Sequence, residues 1–443
     1  MFPQKFTKKT AFVVLAMVFF FALLFSYIPI VHTFFDHKLY MRFPGDGGTL
    51  FKGALASLVT FLILWYSAPA QGKGGTSLLY PILFVLNYVP EVILYVYAPG
   101  HRQGIFALFY ALILLFLGQL DRWPKGRLPL GRLEDQQQAR AQRILLALSA
   151  VGFLIFFLRY GFFVSPRLFL LGDVYAERRA LLALATPVHA YLKNQLTRVI
   201  FPLLLLLSLD LKRYPSAAFA VVASLYLYLC TAVKTDLFVL VLVVFFYIIR
   251  RLKDQGLGFL GAMNLLAGLS ILEYILRGSV HLYELILRRV VFVPAMLNRV
   301  YYLEFSGQPV GWGRAAQKAF LSTKGYPSIQ TWMGEAILKE PGNNASVGIV
   351  SDAFLHGGYW ALVLPFLLMI FFAWVLKRTQ WPAAWFGVPM TFLYVMNSSF
   401  MGTLLLTHGL FAFFVAALLL SWNPQKKQKT AKNPEEPLPP HLI

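Results

Sequence analysis

Asp352 and His356 are the pair whose types and spacing most plainly allow chemistry. Four residues apart, they share a face if the stretch is helical, and a carboxylate can then orient an imidazole for proton transfer. The bland alternative is an ordinary hydrogen bond at a helix end. Glu335 is a further acid upstream, preceded by the cations Arg277, Arg288, Arg289 and Arg299. Glu284 stands four residues before Arg288 and is its expected helical partner. Arg289 projects about 100° away from Arg288 on a helix. It has no obvious local acid, which leaves it available to an anionic ligand. Gly342, Asn343, Asn344 and Gly348 read as a tight, hydrogen-bonded turn packed on the start of the next helix.

Composition says what must position these residues. Of 443 residues, 58% are hydrophobic and only 13% charged, with a mean hydropathy of +0.64. A soluble domain is about 45–50% apolar and about 25% charged. Apolar runs of about 17–20 residues recur, the length that crosses roughly 30 Å of hydrocarbon. The expected class is an all-α polytopic membrane protein with about twelve transmembrane helices. They fall near 11–31, 50–66, 77–97, 105–120, 144–164, 199–211, 216–232, 236–249, 257–276, 357–376, 383–400 and 404–422. The runs at 199–211 and 236–249 are short and read as extendable, tilted or partly re-entrant. Lys5, Lys8 and Lys9 precede the first run without a small-residue cleavage site after it, so that run is read as an uncleaved helix. Glu91, after Pro90, is an acid inside a span and has no assigned role.

Basic residues in the short connections set the orientation. Arg122, Lys125, Arg127, Lys212, Arg213, Arg250, Arg251, Lys377 and Arg378 fall on one side, which is predicted to be cytoplasmic together with both termini. Residues 1–422 read as a single transmembrane domain, and 423–443, rich in Lys, Pro and Glu, as a disordered cytoplasmic tail. Two long outer loops, about 165–198 and 277–356, break the charge pattern and are expected to form the active side. They carry Arg167, Arg178, Arg179, Lys193, Arg198, Arg314, Lys318, Lys324 and Lys339 besides the arginines above. Arginine suits bidentate phosphate contacts, so an anionic ligand outside the membrane is favoured over lipid head-group contact.

Much is excluded. The lone Cys230 allows no disulfide and no cysteine metal site. No P-loop, nucleotide fingerprint or clustered His and carboxylate set is present, so no cofactor or metal is expected. A pI near 9.9 does not indicate nucleic acid, because the charge is divided between two membrane faces.

The run from Arg288 to Phe305, Arg-Arg-Val-Val-Phe-Val-Pro-Ala-Met-Leu-Asn-Arg-Val-Tyr-Tyr-Leu-Glu-Phe, resembles the outer-loop signature of oligosaccharide repeat-unit polymerases, the O-antigen polymerase (Wzy-type) family. Asn343-Asn344-Ala-Ser-Val-Gly-Ile-Val-Ser-Asp352-Ala-Phe, followed by Gly357-Gly358-Tyr359, resembles its second signature. Thr231-Ala-Val-Lys234-Thr235 is similar to its basic segment after the seventh span. The sequence departs at His356, where the family more often has a small polar residue.

The resemblance implies a GT-C-type glycosyltransferase fold in a bacterial inner membrane, acting on its outer face. A growing glycan on polyprenyl (undecaprenyl) pyrophosphate is passed to the end of a new lipid-linked repeat unit, with inversion and without a metal. Arg289 is the first choice for the leaving pyrophosphate, supported by Arg198, Lys234, Arg277 and Arg299. Glu335, Asp352 or His356 would be the acceptor base. Tyr301, Tyr302, Trp312 and Trp332 would stack on sugar rings, or form an interfacial aromatic belt, and Asn344 would contact substrate. A flippase and a chain-length regulator are the implied protein partners, besides membrane lipids. The alternatives are an O-antigen ligase, which uses a lipid A core acceptor, and a lipid-linked oligosaccharide flippase or other transporter.

Overall fold

The computed structural model describes residues 2–38, 40–41, 49–68, 76–99, 104–120, 135–162, 186–252 and 254–421. Among them there is no strand. The helices are α1 (Phe2–Phe34), α2 (Thr49–Ser67), α3 (Thr76–Tyr97), α4 (Ile105–Gly118), α5 (Asp135–Tyr160), α6 (Pro187–Asp210), α7 (Tyr214–Thr231), α8 (Lys234–Ile249) and α9 (Gln255–Arg277). A π-helical segment, Tyr283–Phe292, leads into α10 (Val293–Phe305). Then come α11 (Arg314–Ser322), α12 (Ile349–Ala361), α13 (Val363–Arg378), α14 (Gly387–Met396) and α15 (Leu410–Leu419).

Seven of these are long and apolar enough to cross a membrane, and eight if α12 and α13 count as one bent span. The chain is therefore a multi-pass membrane protein, all-helical over the described residues. Helices α4, α14 and α15 are apolar but short.

Local chemistry explains the ends. Thr186 caps α6 by accepting from the His189 N–H, with Pro187 at the first turn. Asp254 caps α9 through the Leu257 N–H at 3.0 Å. That helix stops at Gly278, whose φ of 59° is a left-handed value that glycine adopts without penalty.

The chain forms two compact units. The first comprises 1–123, 249–373 and 390–404. In it α1 packs along α9, α2 along α4, and α10 along α12. Helix α3 is the inside helix, with 94% of its apolar window buried, whereas α2 turns Phe51, Leu58, Leu62 and Tyr66 outward. A transmembrane helix that is apolar all round can face lipid on one side, because hydrocarbon solvates leucine as well as a core does. The second unit comprises 124–248, 374–389 and 405–443. There α6 packs between α5 and α7.

Two expectations change, and the open reading of 199–211 is decided. The run 357–376 is not one helix: α12 starts at Ile349, and α12 and α13 meet at a bend of 111°. Within α12, before that bend, Gly358 leaves helical geometry at φ 61°, ψ −147°, which a side chain would disfavour. The short run at 199–211 is extended, since α6 starts at Pro187 and so contains Lys193 and Arg198. Those two cations are helical, not part of a loop. The segment 277–356 is likewise largely helical, built of the π segment, α10, α11 and the start of α12. Most of the other expected loop, with Arg167, Arg178 and Arg179, lies outside the described residues, as does the tail 423–443.

Candidate functional site

Helix α12 brings Asp352 and His356 together in the first unit. The spacing of four places His356 Nε2 3.4 Å from Asp352 Oδ1, with both side chains about 95% buried. Asp352 lies in the first turn of α12, where a carboxylate is favoured by the helix dipole. Its Oδ2 accepts the backbone N–H of Met401 at 2.8 Å. The imidazole is oriented from its other edge, because the Gly311 carbonyl stands 2.7 Å from Nδ1. A carbonyl only accepts, so Nδ1 carries a proton, and Nε2 is the nitrogen that faces the Asp352 carboxylate. Gln317 on α11 reaches Nε2 at 3.3 Å, and the Trp312 ring lies 5.0 Å from the imidazole. Trp312 is half-exposed and forms the open side of the pair.

A buried polar strut supports α12. Glu91 on α3 accepts from Asn298 Nδ2 at 2.6 Å, and Asn298 accepts from Ser351 Oγ at 2.5 Å. Close packing fixes the helix start, since a Cβ on Gly348 would lie 2.3 Å from the Met396 carbonyl oxygen.

Arg288 and Arg289 lie in the same unit, on the π-helical segment Tyr283–Phe292. Arg288 pairs with Glu284, stacks over Phe35 at 5.2 Å, and keeps only 11% of its side chain exposed. Arg289 was expected to lack a local partner, and this is corrected: its Nε lies 3.3 Å from Glu284 Oε1. The reason is the π-helical backbone of Tyr283–Phe292. An i→i+5 hydrogen-bond pattern widens the turn, so residues five apart share a face. Burial raises the Glu284 carboxyl, but both guanidinium contacts more than offset it and hold it below the usual range. Arg289 still exposes 55% of its side chain. A cleft of about 350 Å³, lined by Phe34, Lys38, Ser279, His281, Glu284 and Arg288, adjoins the pair. Lys38, at its rim, pairs with Glu340.

Other expected residues take local roles. Arg299 is partly buried, and burial lowers its guanidinium to about 10, so it stays charged near neutral pH. Arg277 is exposed at the end of α9. Glu335 Oε1 accepts the Gly342 N–H at 3.1 Å and stabilises the turn at 340–345. Asn344 accepts from the Thr331 hydroxyl at 2.9 Å, and Asn343 N–H reaches Glu340 O at 3.1 Å, so the turn is hydrogen-bonded as expected. Tyr301 and Tyr302 do not offer faces to a sugar. Both are buried, Tyr301 donating to the Ala345 carbonyl at 2.9 Å and Tyr302 sharing a hydrogen bond with Tyr359 at 2.8 Å. Trp332 is buried against Phe305 and Phe320. Of the four aromatic residues only Trp312 is exposed.

Arg198 and Lys234 belong to the second unit. Arg198 is buried near the middle of α6, while Lys234 is exposed at the start of α8. Lys193, one turn before Arg198, pairs with Asp236 at 3.1 Å, and Thr197 donates to the same carboxylate at 3.2 Å. Sequence reasoning missed Asp236 and Gln317. Asp236 directly follows the Thr231–Thr235 segment and Gln317 has no motif around it, but each contact is made across helices.

Compared with family models, curated proteins and solved structures, the chain matches none.

Proposed function

We propose that the protein polymerises polyprenyl pyrophosphate-linked oligosaccharide repeat units on the outer face of a bacterial inner membrane. The observation that carries this reading is the buried Asp352–His356 pair beside exposed Trp312. It offers a proton acceptor next to an aromatic plate on which a sugar ring can lie, within the unit that also holds Arg288, Arg289 and Arg299. In the proposed reaction an acceptor hydroxyl oxygen bonds to the anomeric carbon as the bond from that carbon to the pyrophosphate oxygen breaks. The hydroxyl proton passes to the Asp352–His356 pair once Gln317 yields its contact with Nε2. Polyprenyl pyrophosphate leaves with the bonding electrons, and guanidinium groups at the oxygens where this charge develops lower the barrier. The proposal includes a GT-C-type arrangement of about twelve crossings, with α4, α8, α14 and α15 among the short ones.

The direct test supplies purified protein with lipid-linked repeat units. Ladders of polymer are expected without lipid A core. Product formed only when core is present would instead make the protein a ligase.

Because guanidiniums are assigned the pyrophosphate charge, transfer is expected to continue in excess EDTA. Activity lost with chelator and restored by magnesium would move that role to a metal. Orientation is tested by reporter fusions: those after residue 130 and after Trp422 should report cytoplasm, and one at Gly325 the outer side. A cytoplasmic signal at Gly325 is incompatible with the mechanism.

Transport is a second reading, favoured by one observation. Lys193, Arg198 and Asp236 are buried in membrane-length or apolar helices, and ionisable groups placed there often line transport routes. Movement of lipid-linked units between leaflets without elongation would support it.

A further inference from the structure

Glu91 has a buried position, a short hydrogen bond and no part in the reaction described above. It sits on the most enclosed helix, α3, with 4% of its surface exposed. One strut runs from it to the site: Glu91 Oε1 takes the Asn298 amide at 2.6 Å, and Asn298 Oδ1 takes the Ser351 hydroxyl at 2.5 Å. Ser351 is the residue before Asp352. A second strut starts one turn earlier on α3, where Asn87 Nδ2 donates to Asn397 Oδ1 at 2.6 Å. Asn397 opens the short stretch that ends at Met401, whose N–H binds Asp352 Oδ2 at 2.8 Å. Thus two side chains of one buried helix hold both supports of the Asp352 carboxylate: the helix that carries it, and the backbone segment that hydrogen-bonds it.

We propose that Glu91 is a positioning residue that, with Asn87, sets the carboxylate of Asp352 against the imidazole of His356. This rests on reading that pair as the proton-handling group. Buried networks of this kind specify one geometry because every member left unpaired would incur the cost of desolvation. Glutamine can accept from Asn298 as glutamate does, whereas leucine fills the space and accepts nothing. Ser351→Ala cuts the same strut at its far end with the least change in volume.

Trp312 provides a readout independent of what the protein catalyses. Its ring stands 5.0 Å from the imidazole, and a protonated imidazole quenches indole fluorescence. The groups facing the imidazole are Asp352, Gln317, the Gly311 carbonyl, Trp312 and the Phe400 ring, so Asp352 is the charge that sets its titration. Fluorescence of detergent-purified full-length protein is followed against pH, with Trp312→Phe subtracted as the blank, and turnover is measured on the same samples.

A carboxylate loosened from the imidazole stabilises its charged form less, so the midpoint falls. In Glu91→Leu and Ser351→Ala it should fall by at least about half a pH unit. Polymer turnover should drop by up to about 10²-fold at unchanged KM, the scale of a small misplacement of reacting groups. Glu91→Gln should resemble the wild type in both. The proposal is overturned if Glu91→Leu and Ser351→Ala leave the midpoint where it was. It is also overturned if Glu91→Gln shifts as far as Glu91→Leu, since the carboxyl would then act by its charge. Wild-type protein that forms no polymer would refute the proposed reaction, while the fluorescence titration would still decide the positioning role.

Discussion

Asp352→Asn is expected to reduce polymer formation by about 10²–10⁴-fold, the usual range for removing a proton-transfer group. The change is isosteric. The amide oxygen can still accept from the Met401 N–H, as Oδ2 does at 2.8 Å, so α12 should remain seated. What disappears is the negative charge 3.4 Å from His356 Nε2. Without it the imidazolium formed on taking a proton has no counter-charge, and the ring is no longer biased toward that form. His356→Ala should cost a similar factor, and the double variant little more, because residues acting as one unit are not additive. The measurement is initial rate with purified protein, normalised to folded protein by gel filtration. Near-normal rates in Asp352→Asn would remove the pair from the chemistry and leave it as a helix-end hydrogen bond.

The second large effect is expected at Arg289. Lysine keeps the charge but loses the planar fork that binds two phosphate oxygens together. If Arg289 meets the leaving pyrophosphate, Arg289→Lys should lower turnover by about 10²–10³-fold, the scale of one transition-state donor. Its neighbour should behave differently. Arg288 is largely buried, pairs with Glu284 and lies over Phe35, so Arg288→Lys is expected to lower the yield of folded protein more than the rate per molecule. Glu284 binds both guanidiniums and is displaced from Arg289 most easily, because that contact is the longer one, at 3.3 Å, and the more exposed. Glu284→Gln should therefore spare turnover while weakening the fold around Arg288. Normal polymer from Arg289→Lys would shift attention to Arg299, the partly buried guanidinium on α10.

The amino-acid sequence alone determined the class of the molecule. Apolar runs of membrane length, with few charges, leave a chain no alternative to spanning helices, because only a helix satisfies its own backbone in hydrocarbon. Most helix positions followed from that, including α2, α3, α7 and α9. The Asp352–His356 pair was legible for the same local reason, since a spacing of four fixes a shared helical face whatever surrounds it. So was the turn at Asn343–Asn344, whose residue types favour it.

Tertiary structure decided the rest. The π-helical stretch at Tyr283–Phe292 gave Arg289 the partner that a regular α-helix denies it, and no residue pattern announces that change of pitch. Hydropathy could not separate a buried aromatic residue from an exposed one, so Tyr301 and Tyr302 looked available until packing against α12 enclosed them. Extension of α6 back to Pro187 took Arg198 from an expected loop into the helix, where Lys193 and Thr197 on either side of the same turn both bind the buried Asp236 of α8. Glu91 stood out as an acid in a span, but its partners Asn298 and Ser351 lie more than two hundred residues away in sequence. Only folding brings such groups together: hydrophobicity is a property of each segment, whereas a site depends on which segments become neighbours.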